Sequence, residues 1–283
     1  MAGTPPTENW GGAFWEGRVP WPVSSARRVY DLAVRLEVGM THHSSHPPFS
    51  YELSKQHGEH MYGARISAAM EKISMGAHVG THVDAPGHVS LDGCVFGDRE
   101  VAGRQGEYTG VAAGSVEELP PLFGPGHLVD GVKLFERAMT PADGFGAAEL
   151  ERWFARRAEP VQGDIVVFRT GWMQFWEDSP RYRGEVDRGI PGVSLSGAQW
   201  LSRRGVRAVG ADTVNFEHKP EWDEVALSVH VHLLVENGVP IMESLNLEGL
   251  AADGVERFYF AAAPLRLGGG TGSPIRPLAF VSS

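Results

Sequence analysis

The sequence predicts an α/β fold, and two features carry that expectation. In the second half, segments with helical spacing alternate with short β-branched runs. The first half is richer in strand and loop than in helix, which argues against a doubly wound parallel sheet. The chain has 283 residues, 42% hydrophobic and 21% charged, and no Ser/Gly linker, charge block or repeat marks a boundary. One domain over residues 29–283 is therefore expected, preceded by an irregular arm over residues 1–28 rich in Gly, Pro and Trp.

The elements follow in order. RVYDLAVRL (Arg28 to Leu36) alternates well enough for a first strand, and GMTHHSSHPPF reads as loop because Pro47 and Pro48 exclude regular structure. ELERWFARRA (Glu149 to Ala158) has helical spacing, and DIVVFRT (Asp164 to Thr170) reads as a buried strand. SGAQWLSRRG is a short helix with Ser196 as its expected N-cap and Gly205 as its stop, leading into the strand VRAVGAD. A helix from about Val225 to Glu236 ends at Asn237-Gly238, and the strands VPIMESL and ERFYFAAAPL come after it.

Charge and cysteine content narrow the function classes. A formal charge of -10, from 25 basic and 35 acidic residues without a Lys/Arg stripe, argues against nucleic acid or an anionic membrane as partner. The N-terminal residues lack the pattern of a signal peptide, and no apolar run is long enough to span a bilayer, so a cytoplasmic protein is expected. The single cysteine, Cys94, forms no intrachain disulfide and reads as a small buried apolar residue.

Chemistry concentrates in HVGTHVDAPGH, residues His78 to His88. Read as an extended strand, positions 78, 82, 84 and 88 share one face, while Val79, Thr81, Val83 and Ala85 share the other. At about 3.3 Å per residue, His78 and His82 would lie roughly 13 Å apart in a straight strand, too far to share an ion. The chain must bend between them, and Gly80 has the freedom to do so. Two imidazoles and a carboxylate (His78, His82, Asp84) then make a three-ligand set for Zn²⁺ or Mn²⁺, with His88 placed to carry protons beside the ion. Taken singly, each histidine could equally satisfy hydrogen bonds in a polar loop. Farther along, His230 shares an inward helix face with leucines, His232 lies on a more polar face, and Glu243 is a carboxylate in an apolar strand. His230 and Glu243 could complete the site, hold a second ion, or pair only with each other. Phe49, Phe14, Trp15 and Trp176 are candidates for an aromatic substrate wall, a role in which ordinary packing competes.

The run HxGTHxDxPxH, with GADT at Gly210 to Thr213, HxxLL from His230 and the tail GGTGSPIRP at Gly269 to Pro277, resembles the signature of the cyclase-like metal-dependent hydrolases. Bacterial kynurenine formamidase and isatin hydrolase are members. The resemblance implies a swivelling β/β/α fold, a mixed sheet with flanking helices, and a homodimer or homotetramer acting on a small molecule. It implies His78, His82 and Asp84 as metal ligands, His88 as catalytic proton carrier, and His230 with Glu243 at a second ion or in support of the first. One zinc or manganese ion, with a second as an option, would assist opening of an amide, formamide, lactam or lactone of a small cyclic or aromatic substrate. Rival readings are a polyketide-type cyclase or dehydratase using the ion as a Lewis acid, and a non-catalytic metal-stabilised binding protein.

Overall fold

The computed structural model describes residues 26–221 and 227–282. Its frame is a nine-stranded sheet: β1 (Ala26–Asp31), β2 (His82–Asp84), β3 (Leu122–Asp130), β4 (Ile165–Arg169), β5 (Ala208–Ala211), β6 (Ile241–Glu243), β7 (Arg257–Ala262), β8 (Gly272–Pro274) and β9 (Leu278–Ser282). The spatial order is β1-β9-β7-β3-β4-β5-β6-β2-β8. Strands β3 to β6 run parallel, and antiparallel strands extend both sides. The sheet is mixed, with helices flanking it, as expected.

Strand β4 shows why its sequence is almost uniformly apolar. Val166 and Phe168 pack on one face and Ile165 and Val167 on the other, so both faces are covered. The first face carries helices α1 (Gly131–Phe135), α2 (Ala147–Phe154), α4 (Leu195–Ser202) and α5 (Ser228–His230), while α3 (Ser179–Tyr182) sits in a separate apolar cluster with Trp172, Met173, Ile190 and Val214. Phe154 of α2 stacks on Trp200 of α4 at 5.4 Å, closing the helix layer over the sheet. Helix α6 (Glu248–Ala252) contributes Leu250 to the opposite core.

Several element boundaries differ from the sequence expectation for local reasons. The first strand spans Ala26–Asp31, pairing with β9; beyond it Leu32 donates to Pro277 O at 2.9 Å without continuing the ladder. Helix α2 starts before Glu149, which reaches back to accept from Gly146 N at 3.1 Å. In α4 the N-cap position is Ser194, not Ser196, because Ser196 Oγ accepts from Ala147 N at 3.3 Å and so ties α4 to α2. Helix α5 covers the later part of the expected 225–236 helix and widens into a π-helical stretch over Val231–Glu236; residues 225 and 226 lie outside the described residues. Gly238 ends it with φ 64. Cys94 is half-buried on a short strand, less enclosed than expected. The 1–28 arm falls, up to residue 25, outside the described residues. Among the described residues no helix is long and apolar enough to cross a membrane.

Phe168 is fully buried between Phe145 and Phe216, with ring centroids 5.0 and 5.8 Å away. Phe168→Ala should cost about 3–5 kcal/mol by leaving a cavity beneath the helix layer, read as a lowered denaturant midpoint with unchanged slope.

Candidate metal centre

The site is built on β2, the strand inserted antiparallel between β6 and β8. Register fixes its faces. His82 lies opposite Glu243, and Asp84 lies opposite Ile241 and Gly272, so His82, Asp84 and Glu243 share one face. Val83 and Met242 point to the other and enter the opposite core. The regular strand is shorter than the extended 78–88 segment expected: it spans His82–Asp84, with turns before it and a 3-10 turn over Pro86–His88 after it. Only 82 and 84 share a face by strand alternation, because Gly80, at φ 69, breaks the chain direction where a bend is required. A Cβ at Gly80 would lie 2.8 Å from Leu36 Cδ2 and 3.0 Å from Met40 Cε, so a larger residue would have to displace these side-chain tips as well as adopt a positive φ.

The bend brings His78 back onto Asp84. Its Nδ1 meets Asp84 Oδ1 at 2.5 Å, and its Nε2 lies 3.0 Å from Thr271 Oγ1. Space for the ring comes from Gly272, where a Cβ would sit 2.5 Å from His78 Cε1. The Pro86–His88 turn, anchored by Gly87 N donating to Gly114 O at 2.7 Å, returns the His88 ring to stack on His78 at 4.0 Å.

Glu243 and His230 join the cluster from the other side. Glu243 Oε2 is 3.5 Å from His82 Nε2, and its Oε1 is 3.4 Å from His230 Nε2 while accepting from Phe216 N at 2.9 Å. Beneath them, Thr81 Oγ1 donates to Ser244 O at 2.6 Å, and the fully buried Tyr182 hydroxyl donates to Asp212 O and meets Ser244 Oγ. Ser244 adopts φ 54, a left-handed conformation that these bonds hold next to Glu243.

Sequence reasoning missed three neighbours. Glu217, from the run VNFE, bonds His230 Nδ1 at 3.0 Å. Its available signal was an acid closing an apolar segment after GADT. His46 stacks on His78 at 5.1 Å; it stood among the loop histidines, where prolines masked any pattern. Thr271 was visible only within the tail motif. His232 is half-buried, held by Ser202 Oγ at 2.9 Å and Glu236 at 2.7 Å, more enclosed than the surface position expected. Phe49 and Trp176 meet in one apolar cluster with Met40 and Val79 under the Gly80 bend, while Phe14 and Trp15 lie outside the described residues.

The donor set fits a divalent ion. Ligand atoms of His78, Asp84 and His88 lie within 4.8 Å of one another, as do those of His82, Asp84 and Glu243, so Asp84 belongs to both groups. His82 Nδ1 is engaged by Gly80 O at 2.8 Å, which leaves Nε2 turned toward the two carboxylates. Burial opposes a charged His82, but the hydrogen bond and charge of Asp84 and the charge of Glu243 outweigh it and raise its pKa to about 9. At His230 burial is likewise overcome by Glu217 and Glu243, which raise it to about 10. Burial would lift Asp84, yet His88, His78 and His82 hold it well below the usual carboxylate range. His88 goes the other way, pushed down chiefly by burial. Buried carboxylates that draw protons onto their imidazoles form a pocket that favours positive charge, and N/O donors of this kind suit zinc or manganese.

Residues 30–218 match the model of the Cyclase family. The chain belongs to that family. This cyclase-family chain is 27% identical over 229 residues to a kynurenine formamidase of Bacillus cereus, covering 81% of this chain and 86% of that protein. Among solved structures, isatin hydrolase A of Ralstonia solanacearum superposes with a TM-score of 0.69 at 26% identity, covering 90% of this chain and 92% of that one. A crystal structure described as a novel cyclase gives a TM-score of 0.82 at 24% identity, covering 92% and 88%. Family membership and the buried His/Asp/Glu cluster, suited to a metal ion, together support an enzymatic role of the metal-dependent hydrolase kind.

Gly272→Ala should force the His78 ring aside and weaken divalent-ion affinity about tenfold or more, measured by chelator competition. The pH dependence has a definite sign. In the metal-free protein His82 and His230 sit above their ordinary value of 6.5, so their stabilising contribution is full below about pH 6.5 and is lost as pH rises through about 9 to 10. Melting temperature of the metal-free protein should therefore fall across that window, whereas ion affinity should rise with pH because the same protons must leave.

Proposed function

We propose that this protein is a metal-dependent hydrolase that opens a carbon-nitrogen bond (amide, formamide or lactam) or a lactone of a small cyclic or aromatic substrate. His78, His82 and Asp84 hold one zinc or manganese ion. His230 and Glu243 either support that site or bind a second ion. When bound, such an ion supplies Lewis acidity, polarising a carbonyl and acidifying water. The observation that carries the reading is the stack of His88 on His78 beside Asp84: a half-buried imidazole, lowered by burial and so neutral near pH 7, lies against the donor cluster. An imidazole nitrogen of His88 accepts the proton of the attacking water and returns it to the departing nitrogen or oxygen. Phe49 and Trp176, packed together with Met40 and Val79 beside the bend, are the proposed aromatic wall of the substrate site. The relatives named kynurenine formamidase and isatin hydrolase support a carbon-nitrogen bond as the target. A homodimer or homotetramer in the cytoplasm completes the proposal.

Ion-loaded protein offered panels of formamides, lactams and lactones should yield products heavier than substrate by one water. His88→Ala should keep the metal stoichiometry of the wild type and lose about 10²–10⁴-fold in turnover. A product of unchanged composition would instead indicate a cyclase. Undiminished turnover in the variant would remove His88 from the reaction.

A further inference from the structure

The acid that closes the run VNFE has a task that the proposed ligand set leaves open. Glu217 is 3% exposed, yet its carboxylate does not reach into the donor cluster. Each of its oxygens is engaged by protein. Oε1 accepts from Ser228 Oγ at 3.0 Å. Oε2 meets His230 Nδ1 at 3.0 Å and His230 N at 3.4 Å. Glu243 is arranged differently: Oε1 is partly occupied by Phe216 N, and Oε2 faces His82 Nε2. One acid therefore presents an oxygen to the cluster, and the other divides its oxygens between the Ser228 hydroxyl and His230, whose ring and backbone it meets through Oε2.

The segment that carries Glu217 is built as a fixed support. Val193 N donates to Phe216 O at 3.0 Å and His218 N donates to Val193 O at 2.9 Å, an isolated β-bridge that clamps both sides of Glu217. Glu217 N donates to Asn215 Oδ1 at 3.0 Å, and Thr213 Oγ1 donates to Asn215 O at 2.9 Å, tying the segment to the end of β5. Consecutive residues thus serve the two sides of one gap: the Phe216 N–H holds Glu243, and the Glu217 carboxylate holds His230. Burying a carboxylate costs free energy, and here the hydrogen bonds from His230 and Ser228 offset that cost while fixing which nitrogen of His230 faces Glu217.

We propose that Glu217 is the positioning residue of the metal centre, fixing His230 with Nδ1 as donor so that Nε2 faces the ion that Glu243 helps to hold. This rests on the metal-centre reading above. An outer carboxylate of this kind sets ring orientation and raises the basicity of the ligating nitrogen.

The test is titration of the metal-free full chain with Mn²⁺ and, separately, Zn²⁺, by calorimetry and chelator competition, for wild type, Glu217→Gln, Glu217→Ala and His230→Ala. Glu217→Gln keeps the shape and removes the charge. The expected result is a Kd about 10–100-fold weaker in Glu217→Ala and an intermediate loss in Glu217→Gln, at the step that His230→Ala abolishes or weakens, with the melting temperature of the metal-free Glu217→Gln protein unchanged. Wild-type affinity in both Glu217 variants would overturn the positioning role while leaving the metal centre standing. Affinity lost only together with metal-free stability in Glu217→Gln would reduce Glu217 to a structural residue. A wild type that binds neither ion would overturn the metal-centre reading itself, an outcome distinct from the other two.

Discussion

A buried carboxylate that three imidazoles surround is the constraint on which the rest depends. Asp84 is 1% exposed, and an unpaired charge at that depth would be driven to neutrality or would unfold its surroundings. His78 and His82 meet its Oδ1 directly, His88 lies behind them stacked on His78, and each arrives by a different backbone device. Strand alternation supplies His82, the Gly80 turn supplies His78, and the Pro86–His88 turn supplies His88. The charge cluster is thus inseparable from the chain path, and a cation placed among these donors would relieve the same electrostatic demand that the protons meet in its absence.

The sheet turns this local demand into a rigid site. Parallel strands β3 to β6 are buried on both faces and give the molecule its least deformable part. By pairing antiparallel with β6, β2 sets His82 directly across from Glu243. A shift of one residue would send His82 and Asp84 into the opposite core, among Met242 and Leu245, and turn Val83 out of it, so the apolar residue of the strand enforces the polar register. Stability and chemistry here have one physical origin, the burial of Val83 and Met242.

Around the donors lies a layer that holds geometry without reaching the cluster. Thr81, Ser244, Tyr182 and the Phe216–Glu217 segment hydrogen-bond to the residues beside the donors, or to the donors themselves. Ser244, next to Glu243, is left-handed, a conformation that this layer holds at the end of β6 through the bonds of its carbonyl and hydroxyl to Thr81 and Tyr182. The apolar cluster of Met40, Phe49, Val79 and Trp176 packs against the segment that bends at Gly80 and so supports the turn that brings His78 to Asp84.

Much of this was legible in the sequence because it is local. The α/β class followed from alternating periodicity, β4 from its uninterrupted apolar run, and the 78–88 cluster from side-chain types and a glycine placed where distance required a bend. His230 was read as inward from helical spacing alone, and its neighbourhood with Glu243 followed as an option rather than a contact. Thr271 was not legible because it meets His78 across 193 residues of chain, His46 because its proline-rich loop has no period, and Glu217 because it lies outside any regular element whose spacing would aim its side chain at His230. Ser196 misled as a cap because its hydroxyl serves a different helix. The sequence by itself determined which residues are candidates for the chemistry and where the chain must turn, since these depend on side-chain type and backbone freedom within a few positions. Only the tertiary structure decided which of them share a gap, because sheet register and the missing side chain at Gly272 set distances that no local pattern encodes.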